Sequence, residues 1–146
     1  MKVIIVIAAA IFAMIPSLVS AKTLHKVCVH VPDKYNAGTD DDLFINIHGT
    51  NGDFGMALLD NPGDDDNNRN TISCFDIHDY GETGNLSWFH MSLGGDDDVC
   101  FVSVKVTYYL NDVLQSELKI HPNDPFQNGN CIGDDAGSNG FEIRPN

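Results

Sequence analysis

Three runs in this 146-residue chain place aspartates side by side: Asp40-Asp41-Asp42, Asp64-Asp65-Asp66 and Asp96-Asp97-Asp98. Adjacent carboxylates repel, so each run needs water, a cation or a positive partner. A hard cation such as calcium is the obvious candidate. It takes about six to eight oxygens, drawn from carboxylates, backbone carbonyls and amide side chains on flexible loops. In extended backbone, neighbouring residues point to opposite faces, so Asp40 and Asp41 do not both face one ion. The stretch Asp64-Asp65-Asp66-Asn67-Asn68-Arg69 lacks the alternation, the sixth-position glycine and the closing glutamate of an EF-hand loop. The plainer reading is that the acidic runs are solvated loops that discourage edge-to-edge association of a sheet.

Catalytic chemistry is harder to assemble. His25, His30, His48, His78, His90 and His121 are scattered, and none forms an HExxH pair. No G-x-S-x-G elbow accompanies them. His48 and His78 are the histidines best placed to act as ligands or bases. Asp76 and Asp79 form a pair of acids that would need a cleft to act on anything. The expectation is a protein without catalytic activity.

Residues 1–21, MKVIIVIAAAIFAMIPSLVSA, read as a secretory signal: Lys2, an apolar stretch from Val3 to Met14, then the small-residue end Val19-Ser20-Ala21. Its removal takes the formal net charge from −13 to −14, because Lys2 is its one charged residue. So acidic a chain does not suit the phosphate backbone of nucleic acid. It does not suit simple docking onto anionic lipid either. Multivalent cations, a basic partner or solubility fit it. No later segment is apolar for long enough to span a membrane as a helix.

Cys28, Cys74, Cys100 and Cys131 are an even set in a chain bound for an oxidising compartment, and two disulfides are expected. Four cysteines allow about three pairings, and the spacing does not choose among them. A zinc site is the lesser alternative, since no C-x-x-C pair is present.

The elements that would carry these residues are strands. Lys26 to Val31 alternates, with Val27, Val29 and Val31 opposite Lys26, Cys28 and His30. In Leu43 to His48, Leu43, Ile45 and Ile47 share a face. Thr71 to Ile77 follows, and Leu86 to Leu93 sets Phe89, Met91 and Leu93 against Trp88 and His90. Val99 to Tyr109 reads as one strand through Val102, Val104 and Val106, then a turn at Asn111-Asp112 leads into Leu114 to Ile120. Turn residues every ten positions or so indicate an antiparallel sandwich or barrel. Residues 22–121 are expected to form one domain. Residues 122–146, rich in Asn, Gly and Asp, read as a tail held by Cys131, with Phe141-Glu142-Ile143 as a candidate edge strand.

Val31-Pro32-Asp33, Ala37-Gly38-Thr39-Asp40 and LFINIHGTNGDFG (residues 43–55) together resemble the entry of a PLAT (lipoxygenase-homology) domain, an all-β antiparallel sandwich of two sheets of about four strands. Leu58-Leu59, Asn68 to Thr71 before Phe75, Gly84-Asn85-Leu86 and Val99 to Val106 continue the resemblance in order, over roughly residues 25–109. The chain departs from the family pattern at Val99, where a tryptophan is usual, and at Leu93 to Asp96, where the loop is short.

The resemblance implies a calcium site built from Asp33, the Gly38 carbonyl, Asp40 and one or two of Asp96, Asp97 and Asp98. It also implies docking to a membrane or protein, with Tyr35 and Phe54 as apolar loop tips. Trp88, on an outer face beside His90, is either half-covered by a loop or a partner contact. Asn85-Leu86-Ser87 is a glycosylation sequon. The expected function is a secreted, non-enzymatic module that contacts an extracellular protein, matrix or lipid surface. An acidic protein of an extracellular or mineralised matrix, and a secreted defence or venom component, are the alternatives.

Overall fold

The computed structural model describes residues 21–33, 38–62, 67–78, 80–95, 97–119, 130–133 and 140–143. Tyr35, Asp79, Asp96, His121, the run Asp64 to Asp66 and residues 1–20 lie outside these, as does the Phe54 side chain.

The described residues form β1 (Thr23–His30), β2 (Leu43–Gly49), β3 (Gly52–Leu58), β4 (Ile72–His78), β5 (Leu86–Leu93), β6 (Val99–Phe101), β7 (Ser103–Leu110), β8 (Val113–Lys119), β9 (Asn130–Ile132) and β10 (Gly140–Ile143). One sheet runs β4-β1-β7-β8 and the other β10-β5-β2-β3, with a short ladder of β6 and β9 beside them. All pairings are antiparallel. The fold class is the all-β sandwich of two four-stranded sheets.

Alternation builds its core. Val27 and Val29 on β1, Leu43, Ile45 and Ile47 on β2, Phe75 on β4, Phe89 and Met91 on β5, and Val104 and Val106 on β7 are all buried. Each such side chain contributes roughly 1.5–3 kcal/mol through burial.

Two local outcomes differ from the expectation. Val99 to Tyr109 is two strands. At Val102 the chain leaves its pairing with β9 and joins β1, and the Val102 amide donates to the His30 carbonyl at 2.9 Å. Val99, Cys100 and Phe101 are consequently all buried, with no alternation. Second, residues 49–55 form a hairpin where a loop was expected. Thr50 and Asn51 make the turn, and β3 returns along β2. A bulge sets Phe54 and Gly55 against Ile47 alone, with Gly55 at φ 82°. At the C-terminus the candidate edge strand Phe141-Glu142-Ile143 falls within β10, and a short β9 precedes it. β9 carries Cys131 to β6, and β10 lies at the edge of the second sheet beside β5.

The disulfides are Cys28–Cys74 and Cys100–Cys131. Each joins residues directly opposite one another on paired strands, β1 with β4 and β6 with β9. Register makes the choice that spacing left open.

Candidate functional site

The ends of β1, β2 and β5 bring two acidic segments together, residues 38–42 before β2 and 94–98 after β5. Leu43 pairs with Leu93, so the chain entering β2 and the chain leaving β5 emerge side by side. The Gly94 amide donates to the Asp42 carbonyl at 2.8 Å. Thr39 is buried, and its hydroxyl accepts the Asp41 amide at 3.0 Å in a tight turn. The Asp41 carboxylate is half-buried and accepts the Asp97 amide at 2.8 Å. It also fills the space where a side chain on Gly95 would stand.

The predicted ligands divide. Asp33 is exposed and pairs with Arg69, Nε to Oδ1 at 3.3 Å. Gly38 packs on the backbone of residues 67–69, too close for a Cβ, and holds its turn against that segment. Asp40 is exposed and has no polar partner among the described residues. Asp97 is exposed, and its carboxylate caps the Asp98 amide at 2.9 Å. Asp98 is half-buried against Gly133, and its Oδ1 is buried with no hydrogen-bond partner among the described residues. A buried carboxylate oxygen left unsatisfied costs on the order of 1–3 kcal/mol. Among the described residues, no three carboxylate, histidine or cysteine groups are gathered as a metal site.

Sequence reasoning favoured Asp40 and missed Asp41. The signal that could have found it is Thr39, whose hydroxyl so often turns back onto the chain two residues on.

The opposite end is closed by different chemistry. Alternation continued back from Val27 places His25 on the core face of β1, where it is fully buried. Its ring stacks on Tyr108, centroids 4.7 Å apart, and meets Tyr80 edge-on. Nε2 lies 2.9 Å from the Thr83 hydroxyl, and Nδ1 is buried without a partner. Burial drives the His25 pKa down to about 4. Burial likewise raises the phenols of Tyr80 and Tyr108. The Tyr80 hydroxyl accepts the Ile47 amide at 3.2 Å and donates to the Gly55 carbonyl, which satisfies both backbone groups at the bulge. Residues 83–85 clasp the β2–β3 turn: the Asn51 amide donates to the Thr83 carbonyl and the Thr50 amide to the Asn85 carbonyl, both at 3.0 Å.

Trp88 lies on the outer face of the second sheet, opposite His48, and the two rings stack with centroids 3.3 Å apart. His48 Nδ1 is bonded to the Asp53 carboxylate, and Nε2 is buried. This histidine is buried in the sheet face. His78 is exposed on β4. Met56 and Leu58 on β3 are exposed nearby. Asn85 is exposed at the start of β5.

No family model matches the sequence, and no curated protein sequence matches it. Solved structures do. Coral 8R-lipoxygenase, described as showing calcium activation via a C2-like domain, is similar over 57% of this chain, with a TM-score of 0.53 and 22% identity. A lipoxygenase variant is similar over 85% of this chain, with a TM-score of 0.63 and 15% identity. The alpha toxin from Clostridium absonum is similar over 69%, with a TM-score of 0.53 and 21% identity. The similar region is 13%, 16% and 28% of those chains respectively. At such identities the likeness shows a shared fold, a β-sandwich that in these proteins is a small part of a larger chain.

Proposed function

We propose that this protein is a secreted PLAT-like binding module without catalytic activity. It holds calcium between residues 38–42 and 94–98 and presents that end of the sandwich to an extracellular protein, matrix or lipid surface. The observation that carries this reading is the Asp41–Asp97–Asp98 arrangement. Two acidic segments are already tied together, and a buried carboxylate oxygen of Asp98 lacks a partner. A bound cation supplies that partner and offsets the repulsion among Asp40, Asp41, Asp42, Asp96, Asp97 and Asp98.

Asp41 and Asp98 are the principal ligands in this proposal, with Asp40, Asp97, Asp96 and the Gly38 carbonyl available to complete the shell. Asp33 belongs to Arg69 instead. The coral lipoxygenase, whose C2-like domain is described as the route of calcium activation, makes calcium the natural ion. The non-catalytic part of the proposal is supported by His48, whose remaining nitrogen is enclosed.

Thermal unfolding in chelator, then across a calcium titration, tests it. A saturable rise that Asp98→Asn abolishes is expected. A shift no larger than equal ionic strength produces would overturn calcium binding. Many weak sites without saturation would favour the matrix alternative. With calcium established, sedimentation with vesicles separates a lipid surface from a protein partner.

A further inference from the structure

The outer face of the first sheet holds a feature that calcium binding does not use. Cys28 and Cys74 are directly opposite on β1 and β4, so their disulfide runs across the strands. β4 is the edge of the sheet, and Cys74 is exposed on it. Cys100, in the other disulfide, is 3% exposed.

The two sulfurs of the exposed bridge have unlike surroundings. Lys105 stands directly opposite Cys28 on β7, and Lys119 opposite Lys105 on β8. Directly opposed residues have Cβ atoms about 5 Å apart. Lys26 lies two residues along β1 on the same face, and His30 two residues the other way. These three lysines are three of the five lysines and arginines among the described residues of a strongly acidic protein. Lys26 is bonded to Asp76 at 3.3 Å and Lys105 to Glu117 at 2.8 Å, while Lys119 has no ion pair among the described residues. The hydrogen bond to Glu117 raises the Lys105 pKa and keeps it charged. Around Cys74 the same-strand neighbours are Asp76 and the exposed Ile72.

We infer that Cys28–Cys74 is a thiol–disulfide exchange site with a fixed polarity, in which an external dithiol attacks Cys74 and Cys28 leaves. Exchange proceeds through attack by a thiolate along the S–S axis, and it is faster when the leaving thiol has a low pKa. Approach to Cys74 comes from beyond the open edge of the sheet. Approach to Cys28 is over β7, where Lys105 stands. Nearby cations lower a thiol pKa, and Lys105 and Lys119 lie beyond Cys28, whereas the Lys26 ammonium is bonded to Asp76 on β4.

In the first step a sulfur of the dithiol bonds to Cys74 Sγ, the Cys28–Cys74 bond breaks, and Cys28 departs as a thiolate. In the second, the remaining thiol of the reagent displaces Cys74 from the mixed disulfide. The two electrons and two protons come from the dithiol, which ends as a disulfide, and both cysteines end as thiols.

The test uses the intact protein under native conditions. It is exposed to glutathione to trap the mixed disulfide, and separately to dithiothreitol with timed alkylation and peptide mapping. The expected results are glutathione on Cys74, and alkylation of Cys28 and Cys74 roughly tenfold or more ahead of Cys100 and Cys131. The double variant Lys105→Gln, Lys119→Gln should slow opening several-fold at an unchanged melting temperature. Glutathione on Cys28, or simultaneous labelling of all four cysteines, would overturn the proposal. An unchanged rate in the lysine variant would overturn its polarity.

Discussion

The two ends of the sandwich are closed by opposite means. At one, residues 38–42 and 94–98 meet through carboxylates and backbone amides, mostly in water. At the other, His25, Tyr80, Thr83 and Tyr108 form a buried, uncharged joint that ties residues 80–85 to the β2–β3 turn. The second end is complete apart from His25 Nδ1. The first leaves a carboxylate oxygen of Asp98 enclosed without a donor. The lesson is one of solvation. An enclosed neutral group is satisfied by hydrogen bonds from the chain, whereas clustered anions need charge from outside it. The first end is therefore where a ligand changes stability most, and the second is where a proton does.

The largest expected effect is at the acidic end. Calcium at about a thousand times its Kd should add about 4 kcal/mol of stability. Denaturant midpoints with and without calcium measure it, and Asp41→Asn and Asp98→Asn should each lose most of it. A mutation at the other end should leave the calcium increment intact.

Next is Gly49→Ala. A Cβ on Gly49 would overlap the Thr83 carbonyl, which already accepts the Asn51 amide, so the clasp must open. A cost of about 3 kcal/mol is expected at any calcium level. An equal stability of this variant and the parent protein would show that residues 83–85 are not a clasp.

Acid should then distinguish the ends. His25 titrates at about 4 in the folded protein, below its ordinary 6.5. Between those values the unfolded chain holds the proton more readily, so stability rises with pH across the window. It is complete above about pH 6.5 and falls by about 3 kcal/mol by pH 4. Unfolding curves of the parent and His25→Gln from pH 6.5 to 4.5 isolate this slope, which the variant should lack.

The smallest effect is expected for Tyr80→Phe. It removes one hydroxyl and leaves the Ile47 amide and Gly55 carbonyl at the bulge to find water, at about 1–2 kcal/mol. Exchange of the Ile47 amide with deuterium should quicken in the variant, while amides near Asp97 should not change.

Much of this architecture is readable along the chain. Alternation in KVCVHV and LFINIH is a local property with a period of two, and it assigns Val27, Val29, Ile45 and Ile47 to one face without reference to any partner, although that first run begins after the buried His25. Asn111-Asp112 carries its own turn, with both residues at positive φ. An even set of four cysteines implies two bridges.

Other features depend on contacts distant in sequence. The break at Val102 exists because β9 ends and β1 takes over, which nothing within residues 99–110 records. The strand β3 is held by β2 and by Tyr80 from residues far downstream, so its two glycines read locally as a loop. Asp41 rather than Asp40 reaches the second acidic segment because the Leu43–Leu93 pairing sets the chain at Asp41 beside Asp97. Local backbone preferences determined which residues face inward. The pairing of strands and the meeting of loops follow from packing two sheets together, and that packing decides which carboxylates share a site.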